Sequence, residues 1–275
     1  MIHYLNGKFV KKEELVVSVC DLGFARGYAV FDFLITYNRR PFMLAPHIDR
    51  LFHSAEMIGL SVPWTKDQVT KLVFETLDQN KDGKEKAIKI ILSGGVSNSL
   101  IPATEPTIAI VVDDRHVLPV EQYENGIGVI TVKHTRYAPK AKTNNYIEGV
   151  KQAQLAKAAG AIEPVYYDDH QVFETSNSNI FALIDGKLFT PASNMLFGIT
   201  RGILLDILKL DVPVEAVDFS FDQLLTATEV FVTGSNKEIL PVTQIDGKPV
   251  SDGKIGLITK EVMQQYREFT ISDKW

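Results

Sequence analysis

The 275-residue chain is 45% hydrophobic, carries a formal net charge of −5 and contains one cysteine, Cys20. That length suits two packed units with sizeable cores, and the mild, scattered charge excludes nucleic acid or an anionic membrane surface as the natural partner, leaving small molecules. A lone cysteine and six scattered histidines give no disulfide and no metal-ligand spacing, and no apolar run approaches the ~18 residues of a membrane span, so the chain reads as a metal-free cytoplasmic protein.

From the N-terminus, Asn6-Gly7 between two short β-prone runs is a hairpin signal and starts a sheet. Asp21 to Tyr28 crowds two glycines and a charge between apolar residues and reads as a sharp loop, followed by a strand over Ala29 to Tyr37. Apolar residues at 48, 51, 52, 55 and 58 recur at helical spacing, with Arg50 off that stripe. A second helix, Lys66 to Gln79, has Thr65 as its N-cap, and strands follow at Ala87 to Leu92 and Thr107 to Val112. These elements make one α+β unit, residues 1–113.

Residues 114–125 have little periodicity, several charges and a proline, and are assigned as an interdomain linker. In the second unit, residues 126–275, a strand over Ile127 to Val132 leads to Pro139-Lys140-Ala141-Lys142-Thr143-Asn144-Asn145-Tyr146 and then a helix to Ala159. Strands at Pro164 to Asp168 and Ile180 to Ile184 flank a polar loop, Phe173 to Asn179. Gly198-Ile199-Thr200-Arg201 opens a helix, and the strand Val230 to Thr233 ends in Gly234-Ser235-Asn236. There is no internal repeat and no low-complexity tract.

A desolvated lysine loses its charge and becomes a nucleophile toward carbonyls, and a lysine just ahead of a helix suits that role. Lys140, Lys142 and Lys151 all remain candidates at this level, because most lysines are solvated surface charges. The helix start at Gly198 presents backbone N–H groups and a positive dipole end to an anion. Arg50 offers a planar fork to the same phosphate, Ser235 adds a hydroxyl, and Glu174 is an acid for a protonated ring nitrogen. An imine lysine, a pyridinium acid and phosphate donors together describe a pyridoxal phosphate site.

Five motifs in order, His47-Ile48-Asp49-Arg50-Leu51, Lys142-Thr143-Asn144-Asn145-Tyr146, Glu174 with Asn179, Gly198-Ile199-Thr200-Arg201, and Gly234-Ser235 before Glu238, resemble the class IV aminotransferases of fold-type IV. That family comprises branched-chain aminotransferases, D-amino acid aminotransferases and aminodeoxychorismate lyases. The resemblance spans essentially the whole chain. It implies an α/β (α+β) two-domain fold with pyridoxal 5'-phosphate in the interdomain cleft, and a homodimer or higher homo-oligomer. Lys142 is then the imine-forming lysine and proton shuttle, Glu174 the partner of the pyridine nitrogen, and Tyr146 the partner of the ring's phenolic oxygen. Arg50, Ile199, Thr200 and Ser235 hold the phosphate, and Asn179 lies at a further cofactor-binding position.

The chain departs from the family pattern at Arg26, where an aromatic is usual, and lacks the arginine and histidine that well-known D-amino acid aminotransferases carry after the position of Gly95. Arg26, with Lys89 adding charge, is therefore the candidate carboxylate clamp, and Phe31 and Asn236 are further substrate contacts. The alternative is that Arg26 pairs with Asp21 or Asp32. The reaction implied is transfer of an amino group between an amino acid and a 2-oxo acid such as 2-oxoglutarate, with D-amino acids preferred. A branched-chain L-amino acid aminotransferase and an aminodeoxychorismate lyase are the alternatives.

Overall fold

The computed structural model describes residues 1–272 and 274–275 and divides into two compact units, Met1–His116 with Ala141–Asn145, and Val117–Lys140 with Tyr146–Trp275. The division at His116 falls inside the expected linker. That segment is not a bare connector, however, because its second half folds as a helix of the second unit. A larger correction concerns the lysine stretch: Ala141–Asn145 belongs to the first unit, not the second.

In the first unit, β1 (Ile2–Leu5) and β2 (Lys8–Lys11) form the expected hairpin, with positive φ at Asn6 and Gly7 as a two-residue turn demands. The stretch read as a loop contains a short helix, α1 (Leu22–Arg26), because the Asp21 carboxylate accepts the Gly23 N–H at 2.7 Å and Gly27, at φ +70°, ends it in the left-handed region. There follow β3 (Ala29–Tyr37), β4 (Arg40–Pro41), α2 (Leu44–Met57), α3 (Lys66–Asp78), β5 (Lys86–Ser93) and β6 (Thr107–Asp114). Thr65 and Gln68 close a capping box on α3.

The strands order as β2-β1-β6-β5-β3-β4. Alternation along the strands sends Val30, Leu34, Ile88, Ile90 and Ile110 to one face, where Ile48 and Leu51 of α2 and Val69 and Val73 of α3 complete a core. The opposite face carries Phe31, Phe33, Lys89 and Ile91, since Phe31 stands opposite Ile91 and Phe33 opposite Lys89. The lysine stretch docks on the β3 edge through a bridge between Val30 and Thr143.

The second unit comprises α4 (Val120–Asn125), β7 (Ile127–Lys133), α5 (Ile147–Ala158), β8 (Glu163–Tyr167), β9 (Val172–Thr175), β10 (Asn179–Ile184), β11 (Lys187–Thr190), α6 (Ile199–Asp206), β12 (Val214–Ala216), α7 (Phe221–Leu225), β13 (Glu229–Gly234), β14 (Glu238–Ile245), β15 (Lys248–Pro249) and α8 (Leu257–Ile271). Its sheet runs β12-β11-β10-β13-β14-β7-β8-β9, with β15 on β14. Val129, Val165, Ile180, Val230, Val232 and Leu240 form its core. β9 corrects the polar-loop reading: Glu174 lies in a strand and is buried. Among the described residues no helix is long and apolar enough to cross a membrane.

Candidate active site

In the first unit the backbone of Lys142 is held from two sides. Its carbonyl accepts the Phe31 N–H at 2.9 Å and its own N–H donates to Ser54 Oγ at 3.0 Å, while Asn144 N–H bonds the Ala29 carbonyl at 3.0 Å. The side chain is half-buried, with Nζ 4.7 Å from the centroid of the Phe31 ring. Lys140 is exposed, and Lys151 is exposed and paired with Glu148 at 3.4 Å. Of the three candidate lysines, only Lys142 is withdrawn from water.

Lys89 places its Nζ 4.7 Å from the same Phe31 centroid, and burial pushes its pKa below the ordinary lysine value. No carboxylate pairs with it among the described residues. Arg26 is exposed at the end of α1, with Nη1 on the carbonyl of its neighbour Ala25 at 2.9 Å. The ion-pair alternative is overturned. Asp21 spends its carboxylate on Gly23 N–H, Ser93 Oγ and Thr107 Oγ1, and Asp32 is taken by other partners.

Those partners sit on α2. Asp32, wholly buried, accepts from Arg50 Nε and Nη2, each at 2.8 Å, and lies 2.6 Å from His47 Nδ1. Burial would raise its pKa, but the Arg50 guanidinium and His47 outweigh that and hold the carboxyl well below its usual range. His47 is lowered, first by burial and against the pull of Asp32, with Arg50 and Lys142 pushing the same way as burial. A neutral ring then bonds Asp32 as an Nδ1–H donor. The 3.4 Å approach of Arg50 Nη2 to that nitrogen brings two donors together and is not a hydrogen bond. Sequence reading saw Arg50 as a phosphate ligand and passed over the buried acid and imidazole that orient it.

In the second unit, Glu174 Oε1 receives Arg136 Nη1 at 2.5 Å and Oε2 receives the Leu196 N–H at 3.1 Å. Burial would lower the Arg136 pKa, but Glu174 outweighs it and holds the guanidinium above its ordinary value. Arg136 was missed because nothing local marks it; its meaning comes from a strand 38 residues away. Tyr166, also missed, is buried beside this pair, and its phenol is pushed up to about 12 by desolvation against the pull of Arg136. Tyr146 is the N-cap residue of α5, with its ring against Gly149.

Asn179, buried, donates from Nδ2 to the Leu196 carbonyl at 2.8 Å. Leu196 is thus clamped at its N–H by Glu174 and at its C=O by Asn179, which fixes the loop entering α6. Gly198 is required there: a Cβ would lie 2.0 Å from Asn179 Oδ1. The α6 start has no side-chain cap bond, and Thr200 is buried with Ile199 half-buried. Arg201 of the same motif turns away from an anion seat: it is buried, its Nη2 donating to the Pro191 carbonyl at 2.8 Å and its Nε to Thr190 Oγ1 at 3.2 Å. Ser235 and Asn236 lie in the β13–β14 turn, where Asn236 Oδ1 and the nearby Thr233 Oγ1 are buried without a hydrogen-bond partner among the described residues.

The uncapped amides at the α6 start and the unpartnered Thr233 hydroxyl suit a phosphate, the buried Glu174 carboxylate suits a protonated ring nitrogen, and the withdrawn lysine suits an aldehyde, so the residues present match the chemistry of a phosphorylated pyridine aldehyde. Among the described residues no cluster of metal-binding side chains occurs.

The amino-transferase class IV family profile matches residues 29–245. The chain is 35% identical to a putative branched-chain-amino-acid aminotransferase of Methanocaldococcus jannaschii, covering 99% of this chain and 96% of that one. It is 32% identical to the D-alanine aminotransferase of Staphylococcus aureus, covering 97% and 96%. Among solved structures, the branched-chain amino acid aminotransferase of T.th., determined with pyridoxamine 5'-phosphate, superposes with a TM-score of 0.90 at 28% identity, covering 98% of this chain and 93% of that one.

Proposed function

Because the chain belongs to the class IV aminotransferase family and is thus a pyridoxal-phosphate-dependent aminotransferase, we propose that it moves an amino group between a D-amino acid and a 2-oxo acid such as 2-oxoglutarate. The bound cofactor supplies a carbonyl to receive the amino group and a ring to draw electrons from the substrate Cα. The chain supplies the rest. Lys142 Nζ would hold the cofactor through its carbonyl carbon until the substrate's amine takes its place there, and the amine so released would carry the Cα proton. Glu174, backed by Arg136, keeps the ring nitrogen protonated, and Tyr146 holds the phenolic oxygen. Arg50, locked by Asp32, the amides of Ile199 and Thr200, and Ser235 hold the phosphate, while Asn179 positions the loop before α6.

The observation that supports a dicarboxylic partner such as 2-oxoglutarate is that Arg26 and Lys89 each lack a carboxylate partner among the described residues, while the preference for D-amino acids rests on the Arg26 segment of the sequence. An arginine fork binds a carboxylate, a lysine adds a point charge, and a dicarboxylic acid has two carboxylates to offer. Phe31, beneath Lys89 and Lys142, and Asn236 complete the substrate contacts. The first unit also exposes Val16, Val19, Phe24, Leu100 and Ile101, and a homodimer in which Arg26 serves the partner's substrate is the assembly we propose for it. The second reading, a branched-chain L-amino acid aminotransferase, is favoured by Tyr146 and by the Methanocaldococcus relative.

Single-turnover spectra of the holoenzyme with D-alanine, D-glutamate and L-leucine separate the two readings. Faster reaction with L-leucine than with either D-amino acid overturns the first. Borohydride reduction followed by peptide mapping is expected to place the cofactor on Lys142; an adduct on Lys140 would remove the lysine assignment.

A further inference from the structure

Ser54 lies on α2 four residues beyond Arg50 and seven beyond His47, on the same side of the helix as both. The residue is wholly buried. Its hydroxyl has one proton, which goes to the Arg50 carbonyl one turn back, at 2.7 Å. With that proton committed, Oγ faces Lys142 as an acceptor only, and the Lys142 N–H fills that role at 3.0 Å.

We propose that Ser54 is a positioning residue for the reactive lysine: it ties the backbone of Lys142 to the helix that carries His47 and Arg50, so that the amine and this polar cluster keep one geometry. The inference rests on Lys142 being the lysine that bonds the cofactor. The two peptide groups of Lys142 are secured differently. Its carbonyl is held by a backbone bond to β3 that no side-chain substitution removes. Its N–H is held by a side-chain oxygen, Ser54 Oγ, which a substitution does remove. Alanine at position 54 fills nearly the same space, and the Arg50 carbonyl keeps its ordinary helical bond from the N–H of residue 54. The loss therefore falls on the bond between the Lys142 N–H and α2.

The experiment compares parent holoenzyme with Ser54→Ala and Ser54→Thr. Threonine retains the oxygen and commonly makes the same bond one turn back. Borohydride mapping comes first: an adduct away from Lys142 in the parent defeats the lysine assignment itself, whatever Ser54 does. With the adduct on Lys142, Ser54→Ala is expected to speed amide hydrogen exchange at Lys142 by about tenfold or more, the exchange following the lost hydrogen bond. Exchange at Asn144, bonded to the Ala29 carbonyl, stays at the parent rate. The single-turnover rate with an amino donor falls by about 10 to 100-fold at unchanged KM, the scale of an ångström-sized misplacement. Threonine restores both. Parent-like exchange and rate in Ser54→Ala overturn the inference. So does a joint rise of exchange at Lys142 and Asn144, which marks general loosening and needs no result from the threonine variant.

Discussion

Arg50 grips Asp32 with two parallel hydrogen bonds, Nε to Oδ2 and Nη2 to Oδ1, both 2.8 Å long. The carboxylate is wholly buried, and only its cationic and N–H partners justify its charge there. Asp32→Asn removes the charge and presents an amide NH2 to groups that are themselves donors. Breaking one partner of a buried pair costs about 3–5 kcal/mol, so the urea midpoint is expected to fall by a large part of the protein's stability. A loss below about 1 kcal/mol would show that Arg50 finds another anchor.

The same cluster sets an acid limit. Asp32 has a depressed pKa when folded, so its contribution is complete above the unfolded value near 3.9 and is lost as pH falls toward the folded one. His47 is depressed too, so below about 6.5 the unfolded chain takes up a proton that the folded chain refuses. Both push the same way. Stability should decline from about pH 6.5 downward and more steeply below about pH 4. Urea midpoints from pH 8 to 3.5 measure this, and His47→Gln should flatten the segment between pH 6.5 and 5. A parent curve that is level from pH 7 to 5 contradicts the neutral, buried imidazole.

What the sequence makes legible is local. The strand Ala29–Tyr37 follows from its apolar run, and the Asn6-Gly7 hairpin and the Thr65 cap from turn and capping chemistry. Illegible elements are either too short for a period or tertiary in origin. α1 is five residues long, and the four-residue β9 is hidden by the polar Ser176-Asn177-Ser178 turn that follows it. Ala141–Asn145 joins the first unit by pairing with Val30, which no nearby residue announces. Motif order singles out Lys142, Arg50 and Glu174, but what orients them is reached across the fold: Ser54 for the first, Asp32 for the second, Arg136 for the third.

Glu174→Gln tests the pyridinium assignment. The amide still accepts from Arg136 or from the Leu196 N–H but cannot keep a ring nitrogen protonated, so the cofactor should stay bound while Cα proton transfer slows. Removing one preorganised charge of this kind costs on the order of 10²-fold in rate. Stopped-flow measurement with deuterated and protiated donor reads the step directly. A parent-like rate in Glu174→Gln sinks the assignment.

Arg26 gives the prediction most particular to this chain. Its candidate ion-pair partners are occupied, Asp21 by Gly23, Ser93 and Thr107, and Asp32 by Arg50 and His47, so the guanidinium has no structural carboxylate to serve among the described residues. If it binds a substrate carboxylate, Arg26→Leu should raise KM for glutamate and 2-oxoglutarate by about tenfold or more, since a charged hydrogen bond is lost. Cofactor retention and the reaction of simple amines should stay near parent values, because neither presents that carboxylate. Lys89→Met should follow the same pattern more weakly, a lysine being a point charge where arginine is a two-pronged donor. Steady-state kinetics with 2-oxoglutarate and with pyruvate as acceptors separate the outcomes. A rise confined to 2-oxoglutarate assigns Arg26 and Lys89 to the distal carboxylate, and a rise with both acceptors assigns them to the carboxylate next to the reacting carbon. Unchanged constants for both would exclude Arg26 from substrate binding and move the preference to the branched-chain reading.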